Sequence, residues 1–330
     1  MIEAIALITF VALLLYVLFG GADYGAGILD FFFKKEDRKS IAEAIAPVWE
    51  ANHVWLILVV VVAFNGFPLL FKTVCVGLHI PLTLALIGIV IRGSAFVFRH
   101  YDPVGNPYEN AFYNRLFQFS SLLTPFFLGL AFGAMLGGRL SLHPAPDFYD
   151  AYIASWLYPF PLVFGIFLST LCAYLAAVLF SSENKTSGPA LRQAATRTHL
   201  LVLLTGLAVL LTPDAFGQRL FTTFLRNPFA LSLLSLSALL SMGLSLSLRR
   251  ENWQATRLLV GAEVLALILG WVLIDFPRLV HLADGNALTL YNAAAPTATL
   301  EALLTALLVG VAIVLPVLFY LLRVFKYQHP

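Results

Sequence analysis

Two stretches place ionisable side chains in surroundings that are otherwise apolar. GGADYGAGILDFFFKKEDRK, residues 20–39, carries Asp23 and Asp30 among glycines and phenylalanines before it ends in charge. IAEAIAPVWEANHVWLI, residues 41–57, carries Glu43, Glu50 and His53. A charge at the centre of a lipid-embedded helix is penalised by roughly 2.5–3.5 kcal/mol on insertion scales, so such a group faces a partner, a cavity or another subunit. On a helix, Glu43 and Glu50 lie two turns apart on nearly one face, and Glu50 and His53 are neighbours at i, i+3. Pro47 frees a backbone carbonyl one turn earlier, and Asn52 adds an amide. Carboxylates and an imidazole in that arrangement can pass protons through bound water. Glu50 is therefore a candidate proton carrier; the other reading is a structural pair with His53 or a nearby arginine.

Metal chemistry is less well served. EANH, residues 50–53, matches the Glu-x-x-His ligand pattern of helix-bundle di-metal sites, but those need two copies and this chain has one. No metal site is expected. A haem held between helices needs axial ligands in the apolar layer. His53 and His79 meet that requirement, and each reads as a hydrogen-bonded core histidine. His100, His143 and His281 fall in or near loops, and His199 and His329 at helix ends. Cys75 and Cys172 sit inside apolar runs and form no CxxC or CxxCH pattern, which excludes c-type haem attachment.

The elements that must carry these residues are membrane helices. The 330 residues are 60% hydrophobic and 12% charged, with a mean hydropathy of +0.87, far from the roughly one-quarter charge of soluble domains. A hydrocarbon layer of about 30 Å takes about 20 apolar residues of helix. That ruler predicts an all-α, polytopic membrane helix bundle of nine spans, near residues 4–22, 42–66, 70–98, 112–136, 155–180, 199–216, 230–248, 257–276 and 300–322. Glu3 occupies the place of a basic signal-peptide region, so Met1 to Gly20 reads as a retained first span. No loop is long enough for a separate soluble domain, and residues 1–330 read as a single transmembrane domain.

Orientation follows from the basic residues. Fifteen of the twenty lysines and arginines fall on one side, including Lys34, Lys35, Arg38, Lys39, Arg192 and Arg250; Lys72, Arg139, Arg219, Arg226 and Arg278 fall on the other. The N terminus is expected outside and the C terminus in the cytoplasm. Glu50 then lies about 13 Å in from the cytoplasmic end of its span. Serines recur through LSLLSLSALLSMGLSLSL, residues 231–248, and read as small residues that let helices pack closely. GQRLFTTFLRNPFA, residues 217–230, could lie along the outer interface.

GGADYGAGILDFF, APVWEANHVWLI, the Arg92 to Arg99 spacing in IRGSAFVFR, LLTPFFLGLAFGAMLGG and LTLYNAAAPTATLEAL occur in this order. Together they resemble subunit II of the cytochrome bd-type quinol oxidases, over about residues 10 to 325. Some members have Asp-Gly-Asn-Gln where this chain has Glu-Ala-Asn-His at 50–53. The resemblance implies a haem-free accessory subunit, with haems b and d and the quinol-oxidation loop on a similarly folded subunit I. It implies a multi-pass protein of the cytoplasmic membrane, in a complex that couples quinol oxidation to reduction of dioxygen to water. Small single-helix subunits, lipid and a bound quinone are compatible additions; nucleic acid is not an expected partner. It places Glu50 at a proton-entry path from the cytoplasm, with His53 and Glu43 beside it. Asp23 and Arg92 match polar positions at the subunit junction, and Trp49, Asn52 and Arg99 join them as interface or structural candidates. GGADYGAG is expected to let backbones approach at the outer end of the first helix pair, with a long first helix running through Phe33 and Asp23 paired within the protein.

Two other classes fit intramembrane acids. A secondary transporter also uses broken, glycine-rich helices, but it usually shows two matching halves, and the Gly-Asp and Trp-Glu motifs occur only in the first. A structural membrane scaffold overlaps the accessory-subunit reading.

Overall fold

The structure, a computed structural model, describes residues 1–33, 49–101, 110–143, 145–181, 188–215 and 225–327. Among these, eight helices are long and apolar enough to cross a membrane, or nine when a sharply bent pair counts as one span. With that pair counted as one, nine spans stand where nine were expected, but the division between the second and third differs. The first span is α1 (Ile2–Leu15), a π-turn (Tyr16–Gly20) and α2 (Gly21–Leu29) in continuous succession. Its 28 residues make about 42 Å at 1.5 Å per residue. The helix is long, as expected, but stops four residues short of Phe33, where Asp30 to Phe32 form a turn.

The expected second and third spans, 42–66 and 70–98, divide differently: residues 68–77, expected at the start of the third, form a separate helix. α3 (Trp49–Gly66) meets α4 (Pro68–Gly77) at an angle of 114°, and α5 (His79–Tyr101) is the helix that crosses. Pro68 at the start of α4 has no N–H and biases Phe67 away from helical geometry, which bends the chain there. Phe67 accordingly has φ −137° and ψ 61°. The bend leaves the Gly66 carbonyl without a helical donor, and Ala295 N–H fills that place at 2.8 Å. Hydropathy marks the boundary near residues 66–70 but not the angle there, nor the second break at Leu78, which lies inside an expected span.

α6 (Ala111–Leu136), α7 (Phe148–Tyr152), α8 (Pro159–Phe180), α9 (Gly188–Ala215), α10 (Pro228–Arg249), α11 (Trp253–Asp275) and α12 (Thr297–Tyr327) follow. Asn110, Asn227 and Asn252 cap α6, α10 and α11 by accepting N–H groups of the first turn. α9 begins eleven residues before the expected position 199, so His199 lies within the helix rather than at its end. The segment 277–299, expected as loop, contains an antiparallel hairpin of β1 (Arg278–His281) and β2 (Ala287–Thr289), with Val280 opposite Leu288. The hairpin turns at Gly285, whose φ of +83° an L side chain would strain against. Residues 216–224, most of the expected interfacial turn, lie outside the described residues.

α8 is the central helix: Leu175, Ala176, Ala177 and Val178 are fully enclosed, and it packs against α2, α6, α9 and α11. A second core joins α1, α3 and α12 through Ile5, Val62, Leu300 and Leu303. At the hairpin end, Leu78, Ala134, Leu140, Val280 and Leu288 close the bundle.

Candidate functional site

The polar centre of the first half forms where α2, α3, α5 and α6 meet. α2 brings Asp23 and Asp30, and α5 brings Arg92 and Arg99, each pair seven residues apart and so on one helical face. The two helices run in the same direction through the bundle, so the pairs meet in register. Arg92 Nη2 donates to Asp23 Oδ1 at 2.6 Å, and Arg99 Nη2 to Asp30 Oδ1 at 2.8 Å. All four residues are at most 4% exposed. The Phe117 ring of α6 lies between the two guanidinium groups, 5.1 Å from each, within cation–π range.

Neighbouring donors and acceptors complete these contacts. Arg92 Nε donates to Ser121 Oγ at 3.2 Å and Nη2 to the Asp23 carbonyl at 3.1 Å. Gln118 Nε2 donates to Asp30 Oδ2 at 2.7 Å. A buried ion pair survives in a low-dielectric layer only when its remaining lone pairs and protons are served. The Asp30 carboxylate has both oxygens engaged. Asp23 Oδ2 differs: among the described residues it accepts no hydrogen bond, and His53 Nε2 lies 3.9 Å from it.

His53 projects from α3 toward that oxygen. Its ring packs against Tyr16 and Tyr24, with centroids 6.4 and 6.0 Å away, and the two tyrosine hydroxyls share a hydrogen bond of 3.0 Å. Asn52, the preceding residue, donates to the Phe19 carbonyl at 3.4 Å. Phe19 belongs to the π-turn, where the hydrogen-bond ladder is locally displaced. The amide therefore fastens α3 to the irregular part of the first span, next to Asp23.

Close helix approach holds this arrangement. A Cβ added at Gly25 would lie 1.8 Å from the Cys172 carbonyl oxygen on α8, and one at Gly27 would lie 2.1 Å from Ser121 Oγ on α6. GGADYGAG thus serves close backbone approach, but its partners are α8 and α6 rather than the second helix of the chain. Gly88 on α5 faces Thr124 Oγ1 on α6 in the same way, at 2.3 Å.

Of the residues singled out from the sequence, Asp23, Asn52, His53 and Arg92 come together. Arg99 lies two turns from Arg92 with Asp30. Asp23 and Arg92, matched by resemblance to a subunit junction, lie inside the chain, because each is the other's counter-ion. The backbones of Trp49 and Glu50 form the start of α3, with Glu50 one turn before His53; Glu43 lies outside the described residues. His79 Nδ1 is 3.1 Å from the Val76 carbonyl, where α4 meets α5. Among the described residues no three His, Cys, Asp or Glu side chains gather to hold a metal ion. Gln118 and Ser121 were not anticipated. The equal seven-residue spacing of the two acids and the two arginines signals their mutual pairing, and nothing in the sequence marks Gln118 or Ser121 as their further partners.

The geometry can hold charge within the bilayer and leaves one carboxylate oxygen facing an imidazole. A family model described as cytochrome bd terminal oxidase subunit II matches residues 1–325. Cytochrome bd ubiquinol oxidase subunit 2 of Bacillus subtilis strain 168 is 25% identical over 300 residues, spanning 87% of this chain and 85% of that protein. Cytochrome bd-I ubiquinol oxidase subunit 2 of Escherichia coli K12 is 26% identical over 159 residues, 44% of this chain and 39% of that protein. In three dimensions the chain superposes on a chain of the bd oxidase from Geobacillus thermodenitrificans with a TM-score of 0.77, at 19% identity and over 98% of each chain. With the helix order, the buried acid–arginine pairs and the match running almost end to end, this chain belongs to the cytochrome bd terminal oxidase subunit II family.

Proposed function

We propose that the chain is the haem-free subunit of a quinol oxidase and admits protons to it from the cytoplasm. In this reading haems b and d belong to subunit I, which supplies the redox chemistry. The complex oxidises quinol and reduces dioxygen to water, and this chain stabilises its partner and carries protons. It lies in the cytoplasmic membrane with its N terminus outside, as the bias of basic residues favours.

The observation that carries the proton role is the opening at Asp23. Arg92 engages one carboxylate oxygen and leaves the other toward His53, one turn along α3 from Glu50. Arg92 meets one oxygen of Asp23 without closing the second. A proton entering at Glu50 has His53 and then Asp23 as successive acceptors, and bound water can bridge the intervals. Tyr16 and Tyr24 pack against the imidazole.

Glu50→Gln keeps the shape of the side chain and removes its proton exchange. Turnover should fall by about 10–100-fold, the low end of what a positioned proton-transfer group contributes, with Glu50→Asp retaining more activity. Haem content measured on the same preparations separates the outcomes. Normal haem with full turnover would remove Glu50 from the path, and joint loss of haem and turnover would make it a structural residue.

The accessory role has its own check. Produced without its partner, the chain should purify as a colourless, unstable protein, and with its partner as a complex with haem absorption. Stable haem on the isolated chain would contradict this assignment.

A further inference from the structure

The second half of the chain holds a buried polar cluster that the Asp23 site does not use. Tyr174 on α8, His199 on α9, Ser241 on α10 and Glu263 on α11 converge from four different helices, at 1%, 7%, 6% and 5% exposure. His199 Nδ1 is 3.0 Å from the Tyr174 hydroxyl, and Nε2 is 3.0 Å from Ser241 Oγ. The Glu263 carboxyl lies beside Ser241. Leu244, Val260 and Val264 enclose the group.

The serine-rich face of α10 supplies more than close packing. Ser245 Oγ, one turn from Ser241 toward the Arg249 end, is 3.4 Å from the same imidazole nitrogen. Nearer that end, Ser247 and Thr256 share a hydrogen bond of 2.8 Å, and both reach the Asn252 carbonyl, at 2.9 and 2.8 Å. Hydroxyl groups thus recur from the turn between α10 and α11 to the imidazole. Ser241 lies eight residues before the end of α10, and Glu263 ten residues after the start of α11. Both are about 12–15 Å from that end, the end that carries Arg192, Arg249 and Arg250.

The donors and acceptors also agree in direction. For Ser241 to donate to the Glu263 carboxylate, its oxygen must accept from Nε2–H of His199. Nδ1 is then the acceptor, and the Tyr174 hydroxyl donates to it. Protonation of Glu263 adds one hydrogen to the cluster, taken from water entering along the α10 hydroxyls, and the carboxyl then donates to Ser241 Oγ in place of accepting from it. Among the described residues, the titratable groups that meet this cluster are Tyr174 on α8 and His199 on α9; Arg257, on the same helix as Glu263, donates instead to the Leu179 carbonyl at 3.0 Å. From α10 only serine hydroxyls face Glu263.

We propose that Tyr174, His199, Ser241 and Glu263 form a second proton-exchanging site within the chain, separate from the Asp23 site and opening to the membrane face that carries Arg192, Arg249 and Arg250. Its exchange is a property of these side chains; its use in turnover rests on the subunit assignment above.

Infrared difference spectra of the purified complex between acid and alkaline pH, recorded in H2O and D2O, test it. The wild type should show a carboxyl C=O band that is lost in Glu263→Gln and shifted in Ser241→Ala, which cuts the link between imidazole and carboxyl at little cost in packing. With haem content unchanged, Glu263→Gln should also lower turnover about tenfold, and Glu263→Asp should restore part of it. Carboxyl spectra identical in the wild type and both variants would overturn the proposal and leave a purely structural network. Should Glu263→Gln fail to assemble, Ser241→Ala decides by the same band. Material that purifies without haem would instead undercut the subunit assignment, and the carboxyl band would still report on Glu263.

Discussion

Arg92→Met is expected to destabilise the protein by about 3–5 kcal/mol, the range for removing one partner of a buried ion pair. Methionine keeps the length of the stem but removes the guanidinium that lies over the Tyr24 and Phe117 rings. It removes the donors to Asp23 Oδ1, the Asp23 carbonyl and Ser121. Asp23 would remain at 1% exposure with neither carboxylate oxygen accepting a hydrogen bond among the described residues. Replacing both partners, as Asp23→Leu with Arg92→Met, removes the uncompensated charge and should recover most of the loss, because apolar groups of similar volume often substitute for such pairs without penalty. Thermal unfolding of the detergent-purified complex would compare the two single variants, the double variant and the wild type. If Arg92→Met alone unfolds with the wild type, the pair contributes nothing; if the double variant falls below both singles, the polar network rather than the lone charge is what matters.

Gly25→Ala is the second substitution with a large expected effect. Its Cβ would sit 1.8 Å from the Cys172 carbonyl oxygen and 2.4 Å from the carbonyl carbon. Both atoms are backbone, so no side-chain rotation relieves the clash and α2 and α8 must separate. Overpacking of this kind typically costs about 1–3 kcal/mol, more where rigid groups meet. The displacement also moves Asp23, two residues away, relative to Arg92. A lowered unfolding temperature and a reduced yield of assembled complex are expected, with Cys172→Ala giving no rescue because the obstacle is the main chain. Gly261→Ala is the matched control, since nothing lies within 4 Å of its added Cβ. Equal stability of the two alanine variants would mean that helix separation at Gly25 is tolerated.

Much of this protein is determined locally and could be read from its residues. Nine apolar stretches of sufficient length specify nine spans, because in lipid the backbone must satisfy its own hydrogen bonds and the helix does so within each segment. The family resemblance was likewise carried by contiguous motifs. The polar positions Asp23, Asn52, His53 and Arg92 stood out because polar side chains are conspicuous in a hydrophobic run. What only the tertiary structure decided is which of them meet. Asp23 finds Arg92, and Asp30 finds Arg99, each 69 residues away, because Gly25, Gly27 and Gly88 let α2, α5, α6 and α8 approach until the faces align. The bend at Phe67 falls at the expected boundary between the second and third spans, but its angle, and the further break at Leu78, came only with the structure. His199 read as a helix end because polar residues precede it, yet α9 begins eleven residues earlier and buries it with Glu263. Hydropathy fixes how far each helix reaches along its own axis; the contacts that assign a partner to each charge run across the axes, and they exist only after the helices have packed.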